Sequence, residues 1–496
     1  MMKLHPRLLA LAAATLIAMT AGDATSQAPP AGATAVPVDH APELDAAIRA
    51  AVNDHALRGA QIGIAIYDIE TGHYLAVSNE HAPLNPASNA KLFTAAAALA
   101  TLHGNHRYET TLSGNVKKDG VVGPLVLRGH GDPSLSTAHL WEMVEELRTY
   151  GVRHIDGDIL VDQLFFDDQT TPPAFEQQPN EWSYFRAPVS AVALNENCVT
   201  LTVRPNAGGA GGRAFAEFDP PGFVDIDGAV RTGDSGADNV VLALSPVGPR
   251  LTAKLSGTIA EDSRLVRYTK RVEDPTLLAG YALKALLERA DIKVSGDVKA
   301  GGAANKSKTL ARHVSPPLSE LLYSLGKQSD NFYAEMIFKT LGGEANGRPA
   351  KSEGGAAQVM RWLDRVGAND AGTVIKNGSG LFDANRVTAS SVVQLLRAVW
   401  KDPEIAPEFL AQLSIGGVDG TLHKRFRGEN TRRLVRAKTG TLDDTIALSG
   451  YVLSESGKGP IAFSLLFNHV GGHQDSARNA TDKLVELIAR RLNSAP

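Results

Sequence analysis

The stretch that decides the fold is Asn85-Pro86-Ala87-Ser88-Asn89-Ala90-Lys91-Leu92-Phe93-Thr94, in which a serine and a lysine lie three residues apart. Residues 92–102 are almost all Ala, Leu, Phe or Thr, which predicts a buried helix. Ser88 and Lys91 would then share one helical face. A serine hydroxyl needs a base to take its proton, and a lysine whose pKa is lowered by burial can be that base. The pattern alone is weak, because Ser324-Leu325-Gly326-Lys327 has the same spacing.

The composition is typical of a large globular chain without a cofactor. Its 496 residues are enough for two or three domains. Lys and Arg number 50 and Asp and Glu 54, so nucleic acid is not an expected partner. No H-E-x-x-H, cysteine cluster or phosphate loop occurs, so no metal or organic cofactor is expected. The single cysteine, Cys198, excludes an internal disulfide, and the sequence offers no role for it.

The N-terminus predicts export. Lys3 and Arg7 precede an apolar run from residue 8 to about residue 20, and small residues follow it. This is the order of a secretory signal peptide, assigned here to residues 1–28, with an uncleaved anchor as the alternative. Residues 29–40, rich in Ala, Pro and Gly, are a predicted flexible lead-in. We expect a periplasmic or otherwise exported protein with no stable membrane anchor.

The pattern of residue types divides the rest of the chain into one domain and an insert. Alternating apolar residues between 61 and 77 predict two strands before the serine helix. Residues 107–271 contain short alternating runs separated by Gly and Pro, which predict a β-rich insert of one or two small domains. The host domain would then consist of residues 41–106 plus 272–496. A hairpin at 446–467 and a last amphipathic helix at 475–492 are predicted to complete it.

A second motif, Ser329-Asp330-Asn331, follows a predicted helix at 318–326. Ser329 and Asn331 could project from a loop between two helices into a shared cleft. The hydroxyl can relay a proton, and the amide offers a donor and an acceptor to a peptide group. A helix cap is the alternative explanation.

The third motif is Lys438-Thr439-Gly440, followed by Thr441, on a predicted strand near a sheet edge. Lys438 can attract a carboxylate, Thr439 can hydrogen-bond it, and Gly440 would let a ligand backbone come close. The backbone N–H of Thr441 could join that of Ser88 as an oxyanion hole. A strand end with a glycine bulge is the alternative.

In this order, S-x-x-K, S-D-N and K-T-G are the signature of penicillin-binding proteins and serine β-lactamases. The chain resembles the class C low-molecular-mass penicillin-binding proteins, which are D-alanyl-D-alanine carboxypeptidases and endopeptidases. About 240 residues separate Ser88 from Ser329, where that family carries inserted domains. Further family-like stretches are Gly131-Asp132-Pro133-Ser134-Leu135, Leu194-Asn195-Glu196-Asn197, Gly378-Ser379-Gly380-Leu381, Asn385-Arg386-Val387-Thr388 and Gly417-Val418-Asp419-Gly420-Thr421-Leu422. One departure is Asn377, where an acidic residue is expected.

The resemblance implies an α/β (α+β) fold, with a penicillin-binding or serine β-lactamase-like transpeptidase domain and inserted β-rich domains. In that fold an antiparallel sheet is flanked by helices. The implied activity is that of a serine D-Ala-D-Ala carboxypeptidase or D,D-endopeptidase, which acts on peptidoglycan stem peptides through an acyl-enzyme on Ser88. β-lactam antibiotics would acylate the same serine and inhibit the enzyme. The implied catalytic residues are Ser88, Lys91 and Ser329, and the implied substrate-binding residues are Asn331, Lys438, Thr439, Gly440 and Thr441.

Other functions remain open at this point. A β-lactamase shares the three motifs, although the large insert argues against it. A non-catalytic peptidoglycan-binding protein and an esterase are further alternatives. The motifs do not separate carboxypeptidase from endopeptidase action, and Lys91 is the first choice for activating the deacylating water. The insert is expected to form a wall of the cleft, with Asp162 as a candidate partner for an ammonium group of the peptide.

Overall fold

The computed structural model of the chain describes residues 38–236, 238–302 and 307–493. The predicted signal peptide, 1–28, and most of the predicted lead-in lie outside the described residues. Of the predicted lead-in, residues 38–40 are described, and there the backbone N–H of Asp39 donates to the carbonyl of Tyr74 at 2.8 Å. From Val38 onward the chain forms one compact unit.

The helices follow the predicted periodicity closely where apolar residues recur at helical spacing. They are, in chain order, α1 (Pro42–Val52), α2 (Ala90–Leu102), α3 (Thr137–Thr149), α4 (Leu278–Arg289), α5 (Leu318–Lys327), α6 (Asn331–Asn346), α7 (Ser352–Val366), α8 (Ala389–Trp400), α9 (Ala406–Gln412) and α10 (Gln474–Asn493).

The strands form one large sheet and several smaller ones. They are β1 (Gln61–Asp68), β2 (His73–Ser78), β3 (Glu109–Gly114), β4 (Val116–Lys117), β5 (Gly120–Val121), β6 (Leu125–Gly129), β7 (His154–Ile155), β8 (Ile159–Asp162), β9 (Cys198–Arg204), β10 (Phe215–Asp219), β11 (Val224–Gly228), β12 (Arg231–Gly233), β13 (Asn239–Val247), β14 (Arg250–Ala260), β15 (Val266–Arg271), β16 (Lys293–Val294), β17 (Val298–Ala300), β18 (Lys308–Val314), β19 (Ser414–Ile415), β20 (Val435–Leu442), β21 (Thr445–Val452) and β22 (Ile461–Asn468).

The large sheet is antiparallel and joins early and late strands in the order β19-β20-β21-β22-β1-β2. Side chains alternate between its faces. On β1, Ile64 and Ile66 pack with α1 and α10, while Ala65 and Tyr67 face the cluster that contains α2 and α8. The predicted antiparallel sheet flanked by helices is therefore confirmed.

Helix α2 is buried all round, which places its N-terminal end deep in the molecule. Its alanines at positions 95–98 are completely buried, and their small size lets neighbouring helices approach closely. A helix that is apolar on every face belongs in the interior. The segment with Ser88 and Lys91 thus rests on a rigid element.

The insert extends further along the chain than the sequence predicted. Helix α4 and strands β16–β18 pack on the strands that precede them, and β18 pairs with β3. Leu278, Leu283 and Leu287 of α4 lie in the same core cluster as Leu127 and Val161. The predicted return to the host domain at residue 272 is therefore wrong, and the chain returns at α5. The periodicity of α4 is that of a helix, but it does not reveal the sheet against which the helix packs.

Two groups of sheets make up the insert. One group contains β17-β8-β6-β3-β18 and the small sheet β16-β7-β5-β4, with α3 and α4 beside them. The other contains β10-β9-β15 and β11-β14-β12, with β13 paired to β14. Their buried side chains form one continuous cluster.

A segment of the insert that we call the strap, residues 163–190, leaves β8 and reaches the host domain. Its contacts include the carbonyl of Pro173, which accepts a hydrogen bond from the Asn377 amide at 2.9 Å. Asp167 lies 2.5 Å from the Lys339 ammonium on α6. The strap thus connects the insert to the middle of α6 and to the turn that contains Asn377.

None of the helices within the described ranges has both the length and the apolar character required to cross a bilayer.

Candidate active site

Ser88 lies in a short 3-10 turn, Ala87–Asn89, directly before α2. The turn is packed tightly from two sides by glycines. A Cβ on Gly380 would lie 1.8 Å from the Ala87 carbonyl oxygen, and one on Gly440 would lie 2.9 Å from the Pro86 carbonyl oxygen. Gly440 was expected to make room for a ligand backbone. The structure shows that the missing side chain makes room for the turn that carries Ser88.

Lys91 is completely buried and hydrogen-bonded only to neutral groups. Its ammonium donates to Ser88 Oγ at 3.2 Å, to Asn331 Oδ1 at 2.7 Å and to the Ser379 carbonyl at 2.8 Å. Burial lowers the pKa of Lys91 to about 7, although the negative charges of Asp330 and Glu335 act in the opposite direction. Near neutral pH a substantial fraction of Lys91 is therefore a free base within reach of the Ser88 hydroxyl.

The second motif lies between α5 and α6, as predicted, and its two polar side chains meet different lysines. Ser329 has a positive φ of 61° and accepts a hydrogen bond from the Lys438 ammonium at 2.7 Å. The Asn331 amide oxygen binds Lys91, and its NH2 group donates to the carbonyl of Phe185 at 2.9 Å. Asn331 therefore connects the candidate base to the strap.

The third motif lies on β20, with Lys438 turned inward and completely buried. Burial and the charge of Lys91 hold the pKa of Lys438 well below its usual range. Thr439 is half-buried and donates to Thr421 Oγ1 at 2.9 Å. Thr441 is exposed and lines a cavity of about 530 Å³, together with Phe185 and Leu381.

The structure thus brings six of the predicted residues into two hydrogen-bonded groups. Lys91 binds Ser88 and Asn331 in one group, and Lys438 binds Ser329 and the carbonyl of Thr439 in the other. Gly440 packs against the Ser88 turn and Thr441 follows it on the same strand.

Glu335 is a buried carboxylate that the motifs did not reveal. It is 1% exposed and accepts the backbone N–H groups of Gly378 at 3.1 Å and Ser379 at 2.8 Å. These bonds hold the backbone directly before the Ser379 carbonyl, which binds Lys91. The one signal in the sequence is a charged residue inside the apolar run of α6, four residues after Asn331.

Asn377 has a structural role in the same turn. Its NH2 group donates to the carbonyls of Pro173 and Leu381, and its oxygen accepts from the N–H of Gly380. A carboxylate could not make the two donor contacts, because an ionised carboxylate only accepts hydrogen bonds. The amide therefore fits this position better than the acidic residue that was expected.

Asp162 is not free to bind an ammonium group of a ligand. Its carboxylate is 2.7 Å from Arg128 Nε and also accepts the N–H of Leu164. The expectation that Asp162 binds the peptide is therefore wrong, since the carboxylate already has a partner within the insert. Cys198 is buried, and the structure gives it no role beyond packing.

The described residues contain no group of three or more His, Cys, Asp or Glu side chains placed to hold a metal ion.

An antiparallel sheet flanked by helices, with a serine and two buried lysines between them, defines a serine hydrolase of the penicillin-binding and serine β-lactamase-like class. Residues 44–491 match the family described as D-Ala-D-Ala carboxypeptidase 3 (S13). The chain belongs to this family and is a serine-type carboxypeptidase.

Relatives of known name support the same assignment. The chain is 34% identical over 469 residues to the D-alanyl-D-alanine carboxypeptidase of Actinomadura sp. (strain R39), which covers 91% of this chain and 84% of the relative. It is 26% identical over 416 residues to the D-alanyl-D-alanine carboxypeptidase DacB of Haemophilus influenzae, with 83% and 86% covered.

Among solved structures, the chain is similar to penicillin-binding protein 4 (dacB) from Haemophilus influenzae. The TM-score is 0.73 at 23% identity, and the match covers 89% of this chain and 99% of that one. A second structure of that protein, complexed with a β-lactam, has a TM-score of 0.70 at 22% identity, with 91% and 99% covered. At this identity the similarity establishes the fold.

Proposed function

We propose that the protein hydrolyses the D-Ala-D-Ala bond of peptidoglycan stem peptides through an acyl-enzyme on Ser88. The observation that carries the proposal is the hydrogen bond between Ser88 and Lys91, whose pKa of about 7 makes it a base at neutral pH. A lysine of ordinary pKa would hold its proton and could not activate the hydroxyl.

In the acylation step, Lys91 takes the proton of Ser88 as Oγ attacks the carbonyl carbon of the penultimate D-Ala. The backbone N–H groups of Ser88 and Thr441 stabilise the oxyanion. The C–N bond then breaks, and the leaving amine receives its proton from Lys91 through Ser329. The products are free D-Ala, or the released cross-link strand, and an ester on Ser88.

The same groups serve deacylation. Water attacks the ester carbonyl, Lys91 accepts the water's proton, and the proton passes to Ser88 Oγ as the ester bond breaks. The shortened peptide leaves and Ser88 regains its hydroxyl. We assign this step to Lys91 because it is the group with a suitable pKa that contacts the serine.

We assign substrate binding to residues of the second and third motifs and of the strap. Thr439, half-buried in front of Lys438, would hydrogen-bond the terminal carboxylate, and the negative charge bound there would favour the protonated form of Lys438. Asn331 would fix the peptide backbone. Phe185 lines the cavity beside Thr441, so the strap forms a wall of the cleft and can contact the peptide side chain.

The names of the relatives support carboxypeptidase action, and the β-lactam complex of the Haemophilus influenzae protein supports inhibition by β-lactams. Endopeptidase action on D-configured cross-links presents the same bond type to Ser88. A wall substrate lies outside the cytoplasm, so we propose that residues 1–28 direct export to the periplasm or its equivalent.

The test is intact mass after brief exposure to benzylpenicillin, with Ser88→Ala and Ser324→Ala measured alongside. Ser324 begins the second S-x-x-K of the chain, so it is a matched control. We expect one stable adduct on the wild type and on Ser324→Ala, and none on Ser88→Ala. An adduct that persists on Ser88→Ala would refute the assignment.

A digest of cross-linked muropeptides by the wild type then separates release of D-Ala from cleavage of cross-links. Rapid hydrolysis of penicillin without an adduct would identify a β-lactamase instead, and untouched penicillin together with untouched muropeptides would identify a non-catalytic wall-binding protein.

A further inference from the structure

One surface beside the cleft carries a concentration of positive charge that the proposed chemistry does not use. We call it the basic segment, residues 424–436. It contains six cations and one acidic residue, Glu429. One cation, Arg425, forms an ion pair with Asp482. The other five have no carboxylate within 4.0 Å among the described residues; they are Lys424, Arg427, Arg432, Arg433 and Arg436.

The exposure of these side chains leaves them available to a partner. All but Arg436 are exposed, and Arg436 is half-buried. The carbonyl of Arg433 accepts a hydrogen bond from Arg436. Burial and the like charge of Arg433 lower the pKa of Arg436, although the negative charge of Asp419 acts in the opposite direction. Unpaired like charges on one short segment repel each other, and a bound anion would relieve that repulsion.

The basic segment lies at the edge of the candidate active site. Thr421, three residues before the segment, accepts the hydrogen bond from Thr439 at 2.9 Å. At its other end, Arg436 lies on β20 two residues before Lys438. A polymer whose peptide occupied the cleft would therefore pass close to these cations.

The chemistry of the segment favours a carboxylate polymer over a membrane. Four of the five unpaired cations are arginines, whose planar guanidinium matches the two oxygens of a carboxylate. The large apolar side chains of the segment are not exposed, since Phe426 is 6% exposed and Val435 is completely buried. A surface that inserts into a bilayer would present such side chains outward.

We propose that the basic segment is a second docking surface for the wall polymer, which binds carboxylates of stem peptides that neighbour the one in the cleft. The inference rests on the proposed function for the identity of the polymer. Its effect is to favour the polymeric substrate over a short soluble peptide, because several weak contacts on one chain add through their effective concentration.

The test separates docking from catalysis. The basic-segment variant has Gln at four positions, Lys424, Arg427, Arg432 and Arg433. The matched control has Gln in place of four exposed lysines of the insert, which are Lys117, Lys118, Lys254 and Lys293. Each set is also combined with Ser88→Ala, and the combined proteins are pelleted with insoluble peptidoglycan at low salt and at about 0.3 M salt.

We expect the fraction pelleted at low salt to fall about tenfold for the basic-segment variant and to stay within about twofold for the control. Without Ser88→Ala, the basic-segment variant should release D-Ala from a short soluble peptide at the wild-type rate and from insoluble peptidoglycan about tenfold more slowly.

Equal pelleting of the two variants would overturn the proposal. The proposal would also be overturned if the basic-segment variant lost binding to phosphatidylglycerol vesicles while its binding to peptidoglycan was undiminished. That result would identify a membrane-binding surface. Failure of the proposed function would look different, because the wild type would then release no D-Ala from the short peptide, whatever the pelleting result.

Discussion

Lys91 combines complete burial with a set of neutral hydrogen-bond partners, and this combination sets the pH at which Ser88 can react. Only the unprotonated amine can accept the proton of Ser88. The unprotonated fraction grows as pH rises through the pKa of about 7. The rate of acylation by benzylpenicillin should therefore rise about tenfold per pH unit below neutrality and level off above it.

The measurement is the second-order rate of adduct formation from about pH 5.5 to 9 by intact mass. A profile that is flat across this range, or one that keeps rising beyond pH 9, would contradict the assignment of Lys91 as the base.

Glu335 accepts the backbone N–H groups of Gly378 and Ser379, one with each carboxylate oxygen, and so positions the segment whose Ser379 carbonyl binds Lys91. In Glu335→Gln one oxygen becomes an NH2 group, which leaves one backbone N–H without an acceptor. We expect acylation at pH 8 to fall about 10- to 100-fold. Because a negative charge near Lys91 is removed, the pKa of Lys91 and the rising limb of the pH profile should also move to lower pH.

Glu344→Gln is the control, since Glu344 is an exposed residue of the same helix that pairs with Arg348. If the rising limb of the pH profile of Glu335→Gln lies at the same pH as in the wild type, and only the free energy of unfolding is reduced, then Glu335 supports folding alone.

At the level of single residues, the sequence predicted those side chains that belong to short motifs. The structure pairs Ser88 with Lys91 and Ser329 with Lys438, and their catalytic roles stay a prediction. Glu335 was missed because its role depends on a loop more than 40 residues further along the chain, which no local spacing reveals.

At the level of elements, the contact between β20 and the 3-10 turn of Ser88 fixes the position of the candidate nucleophile. Ala at position 440 would place Cβ 2.9 Å from the Pro86 carbonyl oxygen and 3.0 Å from Ala87 Cβ. The turn would have to move away from the strand. We expect Gly440→Ala to fold but to react with benzylpenicillin about 100-fold more slowly, because misplacement by about 1 Å has that effect in enzymes.

Gly471→Ala provides the comparison, because a Cβ there would meet nothing closer than 4.0 Å. Adduct formation by Gly440→Ala at the rate of Gly471→Ala would show that the turn tolerates the displacement.

Elements with strong periodicity were predicted well, and those whose identity depends on their partner were not. The hairpin of β21 and β22 and the helices α5 and α10 begin and end within one residue of their predicted bounds. Helix α4 was assigned to the wrong domain, because its buried leucines would suit either sheet. Short strands such as β16, with two residues, carry too little pattern to be recognised.

For the whole molecule, the strap connects the insert to the candidate active site through the hydrogen bond from Asn331 to Phe185. Lys339 on α6 is 1% exposed and pairs with Asp167 of the strap. In Lys339→Met the Asp167 carboxylate loses its partner while it remains largely buried. We expect the protein to lose roughly 3–5 kcal/mol of stability, measured as a lower melting temperature, and to acylate more slowly because Asn331 loses its support from the strap.

The double variant Lys339→Met with Asp167→Leu is the control, because an apolar pair removes the unpaired charge and should recover most of the melting temperature. If both variants melt like the wild type, the strap is not held by this ion pair.

The general plan of the molecule followed from the family resemblance rather than from periodicity. Patterns of apolar residues predicted separate strands early and late in the chain. They could not predict that β1 pairs with β22, since sequence patterns report only local geometry. The extent of the insert was misjudged for the same reason.

The pairing of β1 with β22 also determines when the large sheet can form during synthesis of the chain. Residues 61–68 are synthesised early, but their partners at 461–468 follow after nearly 400 residues, which at roughly 5–20 residues per second is on the order of 20–80 s. During that interval Ser88 exists without β20 or Lys438 beside it, while the strands of the insert can already pair with one another. In the nascent polypeptide Ser88 is therefore not yet reactive, and it becomes reactive only when synthesis is nearly finished.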